Sequence, residues 1–115
     1  LMRQLIAHYG LTAAETSAVL MPLDGTKGGL QSLAGSGRSD WLLGRGNHCE
    51  VVFDEPSVST EHARLTHHEG VWTLEDLESR NGTRCRGQQV VRAELSPGDL
   101  LQLGSLTLLF DVIES

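Results

Sequence analysis

The 115-residue sequence predicts an all-β protein, a two-sheet β-sandwich of about ten to eleven short strands. Three observations point there. Short apolar runs return at near-regular spacing from Ala18 to Ile113. Turn residues separate them, among them Asp24-Gly25, Glu69-Gly70 and Ser96-Pro97-Gly98-Asp99. No stretch after Ser17 carries a helical hydrophobic period.

The elements follow in order. Leu1, Leu5 and His8, with Met2, Ile6 and Tyr9, repeat at a helical spacing closed by Gly10. Residues 1–17 are therefore read as a short helical tail or linker, and residues 18–115 as the sandwich domain. An isolated helix of that length is marginal in water, so the tail is a candidate for self-association. Ala18 to Leu23 and Leu30 to Ala34 read as a hairpin around the cluster Asp24 to Gly29. Trp41 to Leu43 forms a strand stopped by Gly44, and Val51 to Phe53 one closed by Asp54-Glu55-Pro56. Ala63 to His68 and Val71 to Asp76 alternate across Glu69-Gly70, as half-buried strands do. Thr83 to Cys85 and Gln88 to Val91 flank Arg86-Gly87, Ala93 to Leu95 follows, and Leu100 to Leu103 pairs with Leu106 to Ile113.

Composition narrows the function. The formal net charge of -6 disfavours general nucleic-acid binding, whose footprint is a broad basic face. Yet four arginines and no acid lie between Arg80 and Arg92, a local cluster able to meet an anion. No apolar run approaches the roughly 20 residues of a membrane helix, so membrane insertion is not expected. No signal-peptide pattern opens the chain, and a cytoplasmic location is expected. Cys49 and Cys85 read as small buried hydrophobes rather than a disulfide. His67 and His68 would alternate faces on a strand and do not converge on one ion, so neither metal nor other cofactor is expected. Aromatics are 4% of the chain, which leaves the core to leucine and valine.

Three polar islands sit at expected strand ends: Gly44-Arg45, Ser59-Thr60-Glu61-His62 and Ser79-Arg80-Asn81-Gly82-Thr83. They supply a guanidinium, a hydroxyl and a carboxamide. Loops of one sheet protein can converge at one rim, and these groups can hold a phosphate on a peptide. Ser59 and His62 lie too close on one loop for a typical nucleophile–base pair, and neither G-x-S-x-G nor a phosphate-loop motif is present. An enzyme is not expected.

These islands in order, with Leu95-Ser96-Pro97-Gly98-Asp99 and Leu103-Gly104 beyond them, resemble the forkhead-associated (FHA) domain family from about Ala18 to Ile113. The resemblance implies an FHA/SMAD-like sandwich that binds phosphothreonine in an extended peptide, within Ser/Thr kinase signalling. It implies Arg45 as the main phosphate ligand, and Ser59 and Thr60 at the phosphate loop. Asn81 is expected on the peptide main chain, with Gly44, His62 and Gly82 supporting the loops. Thr60 stands where the family more often has a basic residue, and Arg80 where many members have a threonine. Arg80 is therefore expected to carry the second positive charge. The neighbouring loops Gly46 to Glu50 and Arg80 to Gly87 are expected to read other peptide residues. The competing expectation is a scaffold module of the same fold that does not need phosphate.

Overall fold

The computed structural model describes residues 17–23, 30–33 and 38–113. The expected tail helix and the turns at 24–29 and 34–37 lie outside these. The described residues form eleven strands and no helix. They are β1 (Ser17–Pro22), β2 (Gln31–Leu33), β3 (Asp40–Gly44), β4 (Val51–Val52), β5 (Ala63–His68), β6 (Val71–Asp76), β7 (Thr83–Cys85), β8 (Gln88–Gln89), β9 (Arg92–Leu95), β10 (Leu100–Leu103) and β11 (Leu106–Ile113). β1 starts at Ser17, one residue inside the segment read as tail, because Ser17 already pairs with Ile113.

Two sheets result. One has six strands in the order β2-β1-β11-β10-β7-β8, the other five in the order β4-β3-β5-β6-β9. Alternation along each strand sends one set of side chains inward. Leu106, Leu108 and Phe110 of β11 meet Trp41, Leu65 and Trp72 of the opposing sheet in one core. Leucine dominates this core, and Trp72 stacks on Trp41 and meets Phe110 edge-on. Cys49 and Cys85 are both buried and unbridged.

The turns follow from local chemistry. Glu69-Gly70 and Arg86-Gly87 both take positive φ at each residue, the geometry that two-residue hairpins require. Pro97-Gly98 places glycine at φ 91°, with Asp99 N–H closing on Ser96 O at 3.1 Å. One pairing was not foreseen. β4 runs parallel to β3, with Val51 beside Leu43, so residues 45–50 loop out and return alongside the strand they left.

Registers place the functional loops at one end of the sandwich. Leu43 sits opposite Ala63, Ala63 opposite Asp76, and Leu103 opposite both Thr83 and Leu106. The chain therefore leaves β3, enters β5, crosses from β6 to β7 and turns from β10 to β11 at the same rim. The turns after β5 and β9 lie at the other end.

Candidate functional site

The rim is built from backbone contacts first. A methyl group at Gly44 would stand 2.2 Å from the Thr60 carbonyl oxygen, so only glycine lets the loops after β3 and β4 touch main chain to main chain. They are then laced together. Arg45 N–H donates to Ser59 O at 2.9 Å, Gly46 N–H to Thr60 O at 3.1 Å and His62 N–H to Leu43 O at 2.8 Å. The Arg45 side chain is aimed by its own Nε–H, which donates to Val58 O at 3.0 Å. Among the described residues its two terminal nitrogens have no partner, and they present a planar fork of the shape that suits phosphate oxygens.

His62 ties the second island to the third. Its ring is fully buried. Nδ1 accepts the Ser59 N–H at 3.0 Å, and Nε2–H donates to Gly82 O at 2.9 Å. A nitrogen that accepts an N–H carries no proton, so this wiring requires the neutral Nε2–H tautomer. Burial pushes the His62 pKa below its ordinary value, against the opposing pull of the Gly82 carbonyl and the Asp76 charge. Ser59 and His62 are thus joined through the serine's backbone. The Ser59 Oγ instead accepts Arg80 N–H at 2.9 Å, which leaves its proton to donate outward.

Asp76 organises the third loop, a role the sequence reading missed. It ends β6 and accepts Ser79 Oγ–H at 2.5 Å, Ser79 N–H at 3.1 Å and Thr83 Oγ1–H at 2.6 Å. Burial alone would raise the Asp76 pKa, but these bonds outweigh it and hold the carboxyl below its usual range. Ser79 Oγ in turn accepts Gly82 N–H at 2.9 Å, and Gly82 turns at φ 87°. The signal was legible in principle: Asp, then Ser three residues later, is a side-chain-to-backbone turn pattern. Asn81, between these anchors, donates Nδ2–H to Ser57 O at 2.8 Å. Asn81 is exposed, and among the described residues its carbonyl oxygen has no hydrogen-bond partner.

All eight sequence-predicted residues therefore lie at one rim, Gly44 as the last residue of β3 and Arg45, Ser59, Thr60, His62, Arg80, Asn81 and Gly82 on its loops. Thr60 is exposed, with its carbonyl engaged by Gly46 N–H and by the Cys49 thiol at 3.2 Å. Arg80 is exposed, and among the described residues its guanidinium has no hydrogen-bond or ion-pair partner. In the first loop, His48 Nε2 pairs with Glu61 of the second at 2.7 Å.

Two expectations need correction. The stretch Arg80 to Gly87 is not one reading loop. Only its first three residues are at the rim, residues 83–85 are strand β7, and Arg86 lies further along, paired with the buried Asp99. The arginines between Arg80 and Arg92 likewise do not cluster. Arg84 pairs across strands with Gln89 and Gln102, and Arg92 sits on β9 opposite Glu75. Strand alternation and hairpin reversal disperse charges that are neighbours in sequence.

Comparison with known proteins bears on this arrangement. A family model described as FHA domain matches residues 41–104. The chain is 32% identical over 92 residues to the FHA domain-containing protein FhaA of Mycobacterium tuberculosis, covering 80% of this chain and 17% of that protein. The chain spans no more than about a sixth of the curated relatives it matches, between 8% and 17% of their lengths. A structure from a study of phosphothreonine-dependent FHA domain interactions superposes with a TM-score of 0.72 at 26% identity, covering 84% of this chain and 96% of that one. The FhaA FHA domain in complex with the intracellular domain of Rv3910 gives a TM-score of 0.70 at 26% identity, covering 81% and 98%.

Proposed function

The chain belongs to the FHA domain family, and from that premise we propose that it is a phosphothreonine-dependent peptide-binding module in Ser/Thr kinase signalling, acting in the cytoplasm. Members of this family are binding modules. In this reading the Arg45 fork and the Ser59 hydroxyl hold the phosphate, with the Thr60 hydroxyl beside them. Arg80 adds a second positive charge to the phosphate or to an acidic peptide side chain. Asn81 pairs with the peptide main chain, donor and acceptor together, and so recognises an extended backbone without reading its side chains. Gly44, His62 and Gly82 keep the three loops in contact.

One observation carries the reading: the His62 ring joins the Ser59 loop to the Gly82 loop while Arg45 is braced on Val58 O, so the three polar groups are preorganised at a common rim. A phosphate monoester carries nearly two charges and three strong acceptor oxygens, and should dominate the affinity. A methyl pocket for threonine over serine contributes only about 0.8 kcal/mol, roughly fourfold.

The test is a titration with a degenerate phosphothreonine peptide library beside its unphosphorylated counterpart, followed by calorimetry on the selected peptides. Selective retention of the phosphorylated pool is expected. Equal retention of both pools would instead favour a scaffold that does not need phosphate.

A further inference from the structure

Asn81 faces outward from a wall that the sequence does not flag. Its Nδ2–H is anchored on the Ser57 carbonyl. A carbonyl only accepts, so this bond fixes which way the Asn81 amide is turned: nitrogen to the protein, oxygen to the ligand side. The position of the Ser57 carbonyl is itself determined from two directions. Within its own loop, Ser57 N–H donates to Glu55 Oε1 at 2.9 Å. From the β10–β11 turn, Ser105 N–H donates to Ser57 Oγ at 2.9 Å, and the two serine hydroxyls share a bond of 2.8 Å. Gly104 makes this approach feasible, since a methyl there would stand 2.4 Å from the Ser57 carbonyl oxygen. The same glycine's N–H donates to Gly82 O at 3.0 Å, one residue from Asn81.

We infer that Ser57 and Ser105 are positioning residues for the peptide-backbone contact of Asn81, the two hydroxyls forming a clamp that sets the amide's orientation, with Ser57 on the Ser59 loop and Ser105 reaching it from outside the three phosphate loops. The inference rests on the phosphopeptide reading and deepens it. The turn between β10 and β11, distant in sequence from every other rim residue, becomes part of the binding apparatus without touching ligand. The clamp acts on the main-chain contact alone, because Arg45 and Ser59 are braced by Val58 and His62 instead.

Ser57→Ala removes both bonds made to the Ser57 hydroxyl, whereas Ser105→Ala keeps its own N–H and removes one of them together with the long 3.5 Å bond from Ser105 Oγ–H to Glu55 Oε1, so the two variants should be graded. With a short alanine-flanked phosphothreonine peptide as probe, Ser57→Ala should weaken binding about three- to tenfold, as expected for lost neutral hydrogen bonds. Ser105→Ala should weaken it less, and Ser57→Thr, which keeps the hydroxyl, should restore it. In an Asn81→Ala background the Ser57→Ala effect should vanish, and affinity for inorganic phosphate should not change in either background. Equal losses with and without Asn81, or loss of phosphate affinity, would overturn the clamp. The Asn81 side-chain amide signals in a nitrogen–proton correlation spectrum give a second readout that needs no ligand. Ser57→Ala should shift them, and unshifted signals would equally overturn the inference. A native protein that binds no phosphopeptide yet shows the shift would refute the functional reading while leaving the clamp intact.

Discussion

Arg45 illustrates how much one side chain can carry when its neighbours hold it still. Its backbone and Nε–H are both committed to the Val58–Ser59 stretch, so little rotamer freedom is left to lose on binding. Arg45→Ala should lower phosphopeptide affinity at least about a hundredfold, since two charge-assisted bonds of about 1.5–3 kcal/mol each disappear. Arg45→Lys should recover only part of this, because an ammonium cannot present the fork. Calorimetry checks both, with unfolding curves shifted only by the loss of the Nε–H bond to Val58 O, about 1 kcal/mol. Arg80 belongs to a weaker class. It is exposed and unpartnered among the described residues, so Arg80→Ala should cost about two- to fivefold, an effect that shrinks at high salt. Unchanged affinity would remove Arg80 from the site. At this scale the sequence was informative about polar residues in loops, whose types betray their chemistry. For Asp76 it offered only the weak mark of a serine three residues on, and the weight of that carboxylate is plain only once its three hydrogen bonds are seen.

Strands and loops divide their work differently. The strand ends set where the loops begin, but glycines decide whether the loops can touch. Gly44→Ala would push a methyl group into the Thr60 backbone at 2.2 Å, and no rotamer can relieve a clash between main chains. It should cost about 3 kcal/mol, the upper range of overpacking, and abolish phosphopeptide binding as the two loops part. Gly70→Ala is the contrast. Nothing lies near that position, and only its φ of 81° resists a side chain. It should cost about 1–2 kcal/mol and leave binding intact. Thermal unfolding followed by circular dichroism, with calorimetry on each variant, separates the two outcomes. Hairpins were legible because dipeptides such as Glu69-Gly70 and Arg86-Gly87 mark them locally. The parallel β3–β4 contact was not, since a two-residue pairing has no period of its own.

For the whole molecule, acid should act through groups buried in particular protonation states. His62 is held neutral by its two hydrogen bonds and by burial, so its native pKa lies below the unfolded value of about 6.5. As pH falls below that value the unfolded chain takes up a proton before the native one does. Stability therefore declines there and levels only once native His62 is also protonated. His67, whose pKa burial likewise lowers and whose ring stacks on Trp72, contributes in the same direction. His67→Phe keeps the stack and should leave the His62 part of the decline. Asp76, held below its usual range, adds a further loss once pH passes below about 3.9. Unfolding curves of the free protein from pH 8 to 3 test this; a flat profile between 7 and 5 in the His67→Phe variant would contradict the role given to His62. Peptide binding should fall over the same window for a separate reason, since a phosphate monoester gains its second proton near pH 6.

Alternation, turn dipeptides and the missing helical period were enough to determine an all-β sandwich and the boundaries of most strands, because those features depend on neighbours in the chain. The residue types of three loops likewise marked them as the candidate site. Sequence could not say which loops share a rim with which, for that depends on strand order and register across two sheets. Only the folded molecule brings Ser105 against Ser57, turns the Asn81 amide outward and sends Arg86 away to Asp99. Contacts between residues some fifty positions apart are set by how the sheets close, and no local pattern encodes that closure.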